Sequence, residues 1–304
     1  MRLACQAEKL LFMRILRYII GVLAICAGSA FAQESALKPG KGSFMFDSYA
    51  PFQDKPIRVW YYNPGEPTQV LMVMHGNSRA AESYRNALVS FAQKHQILLV
   101  TPEFDKEQFP SSRDYHQGGI FLRDGEKKRK AEWTFSLIEP LFDYVKKQTD
   151  YTKNTYWLYG FSAGSQFVHR YMLFFPDSRA SKIVAASAGT YTMFDSEVEY
   201  SYGLQGVQVP KKHLKQFLGK DFTVAVGAAD TVLSRKDLVK TPIANRQGRD
   251  RVERAQHFYK QASDLAETYG VPFAWKFKVI PDVGHSQSQM APAVPALFLD
   301  GGNP

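Results

Sequence analysis

The sequence predicts an α/β fold, with a mainly parallel, twisted sheet of about eight strands and helices on both of its faces. Short apolar runs of strand length alternate along the chain with stretches of helical periodicity. Few hairpin turns separate successive runs, so we expect parallel strands joined by helical crossovers. The chain has 304 residues, 45% of them hydrophobic and 14% aromatic, which is enough to bury one large core.

The first two strands are predicted to be antiparallel to each other. Apolar residues alternate over residues 42–49 and 56–62, and a Pro-containing turn separates the two stretches. The six later runs are apolar enough to be buried on both faces, which is typical of parallel strands. They are Val70–Met74, Ile97–Val100, Thr155–Tyr159, Ile183–Ala186, Phe222–Val226 and Phe273–Ile280.

Helical patterns lie between these strands, and two longer segments interrupt the alternation. The segments at residues 105–128 and 191–220 are aromatic and charged, and we expect them to fold over the strand ends as a small lid. In parallel sheets, ligands bind beyond the carboxyl ends of the strands, so candidate catalytic residues should directly follow strands. The predicted helices are Ala80–Gln93, Lys130–Lys147, Ser162–Phe175 and Arg249–Tyr269.

Residues 1–32 differ from the rest of the chain. Two arginines precede an apolar run, Ile19–Cys26, and small residues then end in Ala30-Phe31-Ala32. This pattern is typical of a secretory signal peptide with an A-x-A cleavage site, so we expect one domain at residues 33–304 and a periplasmic or secreted location. The apolar run is short for a bilayer span. A retained anchor, a lipoprotein modification at Cys26 and translation from Met13 are the alternatives.

Cysteine usage limits the kinds of site that the chain can form, and net charge bears on its partners. Cys5 and Cys26 both lie in the predicted signal peptide, so the mature chain would have no disulfide, cysteine nucleophile or cysteine-bound metal. The formal charge of +9 falls to +6 without that segment, which holds four basic residues and one acidic residue. We interpret the basic clusters as solvated helix faces, with an anionic substrate or an envelope surface as the alternative partner. No motif points to nucleic acid. The clusters are Lys211, Lys212 and Lys215, and Arg246, Arg249, Arg251 and Arg254.

The stretch Gly160-Phe161-Ser162-Ala163-Gly164 directly follows a predicted strand and precedes a predicted helix. A strand that turns at once into a helix holds the residue between them in strained backbone geometry, and glycines two positions away remove side chains that would clash. The hydroxyl of Ser162 is then raised at the sheet edge. The sequence therefore predicts that Ser162 is a nucleophile.

A serine hydroxyl needs a base to take its proton, and that base needs a group to orient it. His285 follows the last strong strand and is our candidate base. Asp230 follows the strand Phe222–Val226 at its carboxyl end, and it is our candidate for orienting the imidazole. Asp282 is the main competitor for that role, although it shares a loop with His285.

Acyl transfer also needs donors for the developing oxyanion. In this arrangement one donor is the backbone N–H after the nucleophile, here Ala163, and the other comes from the loop after an early strand. His75-Gly76-Asn77 occupies that second place, so the N–H of Asn77 or Gly76 is the second candidate. We interpret His75 as a packing and hydrogen-bonding residue that holds the loop.

These residues resemble the α/β-hydrolase superfamily in the chain order Ser162, Asp230, His285, in the Gly-x-Ser-x-Gly turn and in the early His75-Gly76. The chain looks most similar to exported bacterial esterases of the polyhydroxybutyrate-depolymerase-like group. That resemblance implies the α/β-hydrolase fold and a serine esterase that uses no metal or organic cofactor. The chain has Asn77-Ser78 where many lipases have a His-Gly-Gly-Gly run, which leaves the second oxyanion donor open.

The resulting hypothesis is an exported serine hydrolase that cleaves a small or oligomeric carboxylic ester through an acyl-enzyme. A serine peptidase or amidase uses the same three side chains and is the neighbouring alternative. A non-catalytic binding protein on the same fold is the alternative from another class. Aromatic residues of the two long segments are candidates for the substrate pocket as a set, although for any single one of them we expect packing in the core or within the lid. They are Phe109, Tyr115, Phe121, Tyr191 and Phe194.

Overall fold

One eight-stranded sheet forms the centre of the protein. The computed structural model describes residues 37–299, so the predicted signal peptide lies outside the described residues. The strands are β1 (Gly40–Phe46), β2 (Ile57–Asn63), β3 (Gln69–Met74), β4 (Ile97–Pro102), β5 (Tyr156–Phe161), β6 (Ala180–Ala186), β7 (Asp221–Gly227) and β8 (Lys276–Ile280).

The strand order across the sheet is β1-β2-β4-β3-β5-β6-β7-β8. Strand β2 pairs antiparallel with β1 and with β4. All the remaining neighbours pair parallel. The predicted fold class is confirmed, and the carboxyl ends of β3, β5, β7 and β8 lie along the same edge of the sheet.

The core lies on both faces of the sheet. Every residue of β3 is buried, and its side chains alternate between two apolar clusters. Val70, Met72 and Met74 belong to one cluster. Leu71 and Val73 belong to the other. Since successive strand residues point to opposite faces, an uninterrupted apolar run is what a strand covered on both sides requires.

Nine α-helices lie within residues 37–299, and no helix of this range is long and apolar enough to cross a membrane. The predicted helix Ala80–Gln93 is divided at Leu88, whose backbone leaves the helical region. The helices are α1 (Ala81–Ala87), α2 (Val89–Lys94), α3 (Ile138–Lys147), α4 (Ala163–Phe174), α5 (Lys211–Leu218), α6 (Pro242–Asn245), α7 (Arg251–Tyr269), α8 (Gln287–Met290) and α9 (Val294–Leu299).

Two elements begin three or more residues later than predicted. The stretch before α3 forms two short 3₁₀ turns separated by an extended Trp133, and Pro140 lies in the first turn of α3, where its missing N–H costs nothing. Strand β8 begins at Lys276 and not at Phe273. Trp275 is buried there instead, and its indole N–H donates to the carbonyl oxygen of Phe217 at 3.0 Å.

The two long segments pack onto the domain and help to enclose the space above the sheet edge. Tyr115 in the first and Tyr191 in the second are fully buried. Ser112, His116 and Tyr202 from these segments line the large cavity beside Ser162. This placement agrees with the expected lid over the strand ends.

Candidate active site

Ser162 lies in a sharp turn between β5 and α4. Its φ of 58° and ψ of −117° are unfavourable for a residue with a side chain, so the surrounding packing must hold the strain. A Cβ atom added at Gly160 would lie 2.2 Å from the carbonyl oxygen of Gly164, and one added at Gly164 would lie 2.0 Å from that of Met74. Both glycines are therefore required for helix α4 to pack this close to the strands.

A continuous chain of hydrogen bonds joins Ser162, His285 and Asp230. The Ser162 Oγ lies 2.9 Å from Nε2 of His285, and Nδ1 of His285 lies 2.7 Å from Oδ2 of Asp230. With the Nδ1 proton donated to the carboxylate, Nε2 is free to accept from the serine hydroxyl. The side chain of Asp230 is fully buried and that of His285 is 5% exposed. The structure thus brings together the three residues predicted from their places after β5, β7 and β8.

Asp282, the competitor for the orienting role, does not contact the imidazole. It is exposed and has a φ of 58°, in the turn that leads out of β8. The ring of Phe161 packs against the imidazole of His285, with ring centroids 5.0 Å apart. The imidazole is therefore held between an aromatic ring and the carboxylate of Asp230.

The predicted oxyanion residues lie at the same edge of the sheet. Gly76, Asn77 and Ala163 all line the cavity that contains Ser162 and His285. Gly76 is tightly packed, because an added Cβ would lie 2.4 Å from the hydroxyl oxygen of Tyr84. Ala163 is the first residue of α4, where backbone N–H groups lack partners within the helix and can bind negative charge.

His75 holds this loop in place. Its Nε2 accepts from the backbone N–H of Phe104 at 3.0 Å, so its Nδ1 carries the proton and donates to the carbonyl oxygen of Gly76 at 2.9 Å. The ring stacks on Tyr115, and burial lowers the pKa of His75 to about 3. These contacts agree with the interpretation of His75 as a packing and hydrogen-bonding residue.

We expect the buried histidines to make the fold sensitive to mild acid. His75, His116 and His169 each accept a hydrogen bond at a ring nitrogen, and burial lowers the pKa of all three. For His75, the unfolded chain binds a proton between about pH 6.5 and pH 3 while the folded chain does not. Stability should therefore fall with decreasing pH in this window, by roughly 1 kcal/mol per pH unit for each such group. Urea unfolding from pH 7.5 to pH 5 measures this slope. His75→Gln should make it shallower, and a free energy of unfolding that stays flat would contradict the expectation.

Two solved structures are similar to this chain in sequence as well as in fold. Poly(aspartic acid) hydrolase-1 from Sphingomonas sp. KT-1 is 40% identical, with a TM-score of 0.83 over 86% of this chain and 99% of that one. The LpqC poly(3-hydroxybutyrate) depolymerase from Bordetella parapertussis is 30% identical, with a TM-score of 0.80 over 88% of this chain and 92% of that one. The chain belongs to the polyhydroxybutyrate-depolymerase-like group of α/β-hydrolases.

A more distant structure shares only the fold with this depolymerase-like hydrolase. The fluorophosphonate-binding serine hydrolase F (FphF) of Staphylococcus aureus is 15% identical, with a TM-score of 0.52 over 88% of this chain and 100% of that one. Protein-family models and curated proteins give no match to the chain. Its membership of the group identifies the chain as a hydrolase.

The cavity of this depolymerase-like hydrolase has a volume of about 720 Å³, and its wall exposes polar and apolar surface in about equal amounts. None of the five predicted aromatic pocket residues lines it. Phe109, Tyr115 and Tyr191 are buried in the core, and Phe121 and Phe194 pack against it. These five rings therefore have the packing role that was expected for any single one of them, and the aromatic residue of the second segment that lines the cavity is Tyr202. Within residues 37–299, no cluster of three or more His, Cys, Asp or Glu side chains is arranged to hold a metal ion.

Two arginines of this depolymerase-like hydrolase are buried, against the expectation of a solvated helix face. Arg254 donates to the carbonyl oxygens of Gly189 and Val239, both at 2.7 Å. Arg251 donates to Oδ1 of Asp230 at 3.2 Å. The sequence contains a sign of this burial, because Arg251 and Arg254 share a helical face with Ala255, Phe258 and Ala262, all fully buried.

Proposed function

We propose that this hydrolase acts through an acyl-enzyme formed on Ser162. The observation that carries the proposal is the unbroken hydrogen-bond chain from Ser162 through His285 to Asp230, at the wall of a large cavity. In this proposal Ser162 is the nucleophile, His285 the general base and Asp230 the group that orients the imidazole. The backbone N–H of Ala163, with that of Asn77 or Gly76, binds the oxyanion.

The geometry supports each step of acyl transfer. As Oγ of Ser162 attacks the carbonyl carbon, its proton passes over 2.9 Å to Nε2 of His285. The buried carboxylate of Asp230 stabilises the resulting imidazolium. Nε2 then gives the proton to the leaving group, and a water molecule activated in the same way releases the acid. The amides at the cavity wall stabilise negative charge on the carbonyl oxygen in both steps.

An ester is the proposed substrate, in small or oligomeric form. The 30% identical relative is a poly(3-hydroxybutyrate) depolymerase. A cavity of about 720 Å³ has room for more than one unit of an oligomer. Its wall exposes polar and apolar surface in about equal amounts, which suits an ester of short units that combine carbonyl oxygens with small apolar groups.

An amide is the second candidate, favoured by the 40% identity to a poly(aspartic acid) hydrolase over 99% of that chain. Amide cleavage uses the same three side chains, but it requires His285 to protonate a more basic leaving nitrogen. The formal charge, +9 for the whole chain and +6 without residues 1–32, is also compatible with an anionic polyamide.

Export is proposed from the sequence of residues 1–32. If the signal peptide is cleaved after Ala32, N-terminal sequencing of protein recovered from the periplasm or medium should begin at Gln33. Recovery with residues 1–32 still attached would contradict this proposal.

A fluorophosphonate probe tests the proposed nucleophile. We expect the probe to modify the wild-type protein once, on the peptide that contains Ser162, and to modify a His285→Ala variant much more slowly. A non-catalytic binding protein lacks an activated hydroxyl and would not react. Hydrolysis of p-nitrophenyl esters, oligo(3-hydroxybutyrate) and poly(aspartic acid) then separates the two candidates, with probe-blocked protein as the control. Activity on poly(aspartic acid) with none on the esters would contradict the proposal of an ester substrate and favour the amide.

A further inference from the structure

A second carboxylate lies close to His285, on the side away from Asp230. Oδ2 of Asp237 is 3.9 Å from Nε2 of His285. This is too long for a hydrogen bond but short for two charges. Nε2 is the nitrogen that receives the serine proton in the proposed function, so Asp237 faces the position where positive charge develops.

Arg251 connects the two carboxylates. Its side chain is 2% exposed, and one of its terminal nitrogens lies 3.2 Å from Oδ1 of Asp230. The other donates to the backbone carbonyl of Asp237 at 3.0 Å and lies 3.4 Å from its Oδ1. A buried guanidinium group beside an imidazole disfavours the imidazolium, because the two positive charges repel each other and little water is present to screen them.

Asp237 carries a constant negative charge. Arg235 donates two hydrogen bonds to its carboxylate, each of 2.9 Å. These bonds, together with the charges of Arg251 and His285, lower the pKa of Asp237 to about 2. The carboxylate is therefore ionised wherever the enzyme would be assayed, and its effect on His285 does not itself depend on pH.

The charges around His285 balance only if Asp237 is counted. Asp230 follows β7, Asp237 and Arg235 lie in the segment between β7 and α6, and Arg251 begins α7. The formal charges of these two carboxylates and two guanidinium groups sum to zero when the imidazole is neutral. Without Asp237, the imidazolium would form beside two cations and one carboxylate.

We propose that Asp237 is a positioning residue for His285, a second carboxylate that stabilises the imidazolium from the Nε2 side and offsets the effect of Arg251 on Asp230. The proposal rests on the proposed function of His285 as the base. In this arrangement Arg235 and Arg251 hold the Asp237 carboxylate in place, and Arg235 also moderates its charge. At 3.9 Å, Asp237 makes no hydrogen bond to Nε2 of His285, and in this proposal it transfers no proton.

Paired substitutions distinguish this electrostatic role from a structural one. The acidic limb of the pH profile of kcat/KM reports protonation of the general base in the free enzyme. Asp237→Asn removes negative charge, so it should move that limb to lower pH by roughly half a unit to one unit, a partly screened effect because the side chain is 49% exposed. Arg235→Gln removes positive charge and should move the limb to higher pH, by a smaller amount. If the two residues had only a structural role, both substitutions would break the same Arg235–Asp237 ion pair, and the limb would move in the same direction in both variants.

The controls use the same loops. Asp282→Asn removes an exposed carboxylate three residues before His285 and should leave the limb in place, and Asp237→Glu, which keeps the charge, should restore a nearly wild-type limb. Thermal unfolding shows whether each variant is folded. If Asp237→Asn does not fold, the direction in which Arg235→Gln moves the acidic limb still tests the proposal. Shifts of both variants in one direction, or an unmoved limb in both, would overturn the proposal.

A second readout separates this proposal from the proposed function. The rate of fluorophosphonate labelling of Ser162 depends on the same base and needs no substrate, so its pH profile should shift as the kcat/KM profile does. A wild-type protein that neither labels nor hydrolyses would refute the proposed function itself. Normal labelling of the wild-type protein, with a profile that Asp237→Asn leaves unchanged, would refute only the role of Asp237.

Discussion

Replacement of Ser162 by alanine is expected to lower kcat by about four to six orders of magnitude, because the variant has no oxygen to form the acyl-enzyme. The change removes one atom at a half-buried position and leaves the turn unaltered. The strained φ of 58° is equally unfavourable for serine and for alanine. We therefore expect the Ser162→Ala variant to unfold within a few degrees of the wild-type protein.

Initial rates on a p-nitrophenyl ester, and on whichever of oligo(3-hydroxybutyrate) and poly(aspartic acid) the wild-type protein cleaves, measure this effect, with thermal unfolding as the check on the fold. Ser288→Ala is the matched control, because Ser288 is an exposed serine that lines the same cavity. Its activity should stay within about threefold of wild type, because the Ser288 hydroxyl is hydrogen-bonded to that of Ser286 and not to Ser162, His285 or Asp230. A folded Ser162→Ala variant with wild-type turnover would remove this serine from the mechanism.

The sequence allowed the fold and the central residues of the site to be predicted because both follow from local patterns. The apolar runs of β3 to β7 are continuous, as strands buried on both faces must be. Ser162, Asp230 and His285 could be selected because Ser162 directly follows β5 and the other two lie in the loops that leave β7 and β8, and parallel strands end at one edge of the sheet. Asp221 begins β7, so the same argument places it at the opposite edge of the sheet from Ser162.

The charged surroundings of the site could not be predicted in the same way. Arg251 reaches Asp230 across 21 positions of sequence, and the interaction depends on how the segment between β7 and α7 folds. Arginines at helical spacing are usually exposed, so Arg251 and Arg254 were assigned to a solvated face. Only their shared face with buried alanines indicated otherwise. Asp237 lies in a loop without periodicity, and nothing local distinguishes it from an ordinary surface aspartate.

Gly164→Ala should destabilise the protein by about 3 kcal/mol and lower kcat about 100-fold. Helix propensity alone predicts the opposite sign, because alanine stabilises a helix interior by about 1 kcal/mol relative to glycine. The steric cost of the new Cβ should outweigh this gain, since the atom would lie 2.0 Å from the carbonyl oxygen of Met74 and 2.8 Å from that of His75. Both are backbone atoms at the end of β3 and cannot rotate away. Either α4 or the loop at Gly76 must move, which displaces Ser162 from the oxyanion donors.

Gly219→Ala is the matched control for this prediction. Gly219 follows α5 with a right-handed helical backbone, φ −87° and ψ −1°, and the nearest atom to an added Cβ is 3.7 Å away. The substitution should leave stability unchanged or raise it by up to about 1 kcal/mol, because alanine restricts the unfolded chain more than glycine does. Urea unfolding of both variants, together with kcat on one substrate, makes the comparison. Equal stabilities for Gly164→Ala and Gly219→Ala would mean that helix α4 does not need its close approach to β3, and the glycine requirement at the Ser162 turn would have to be abandoned.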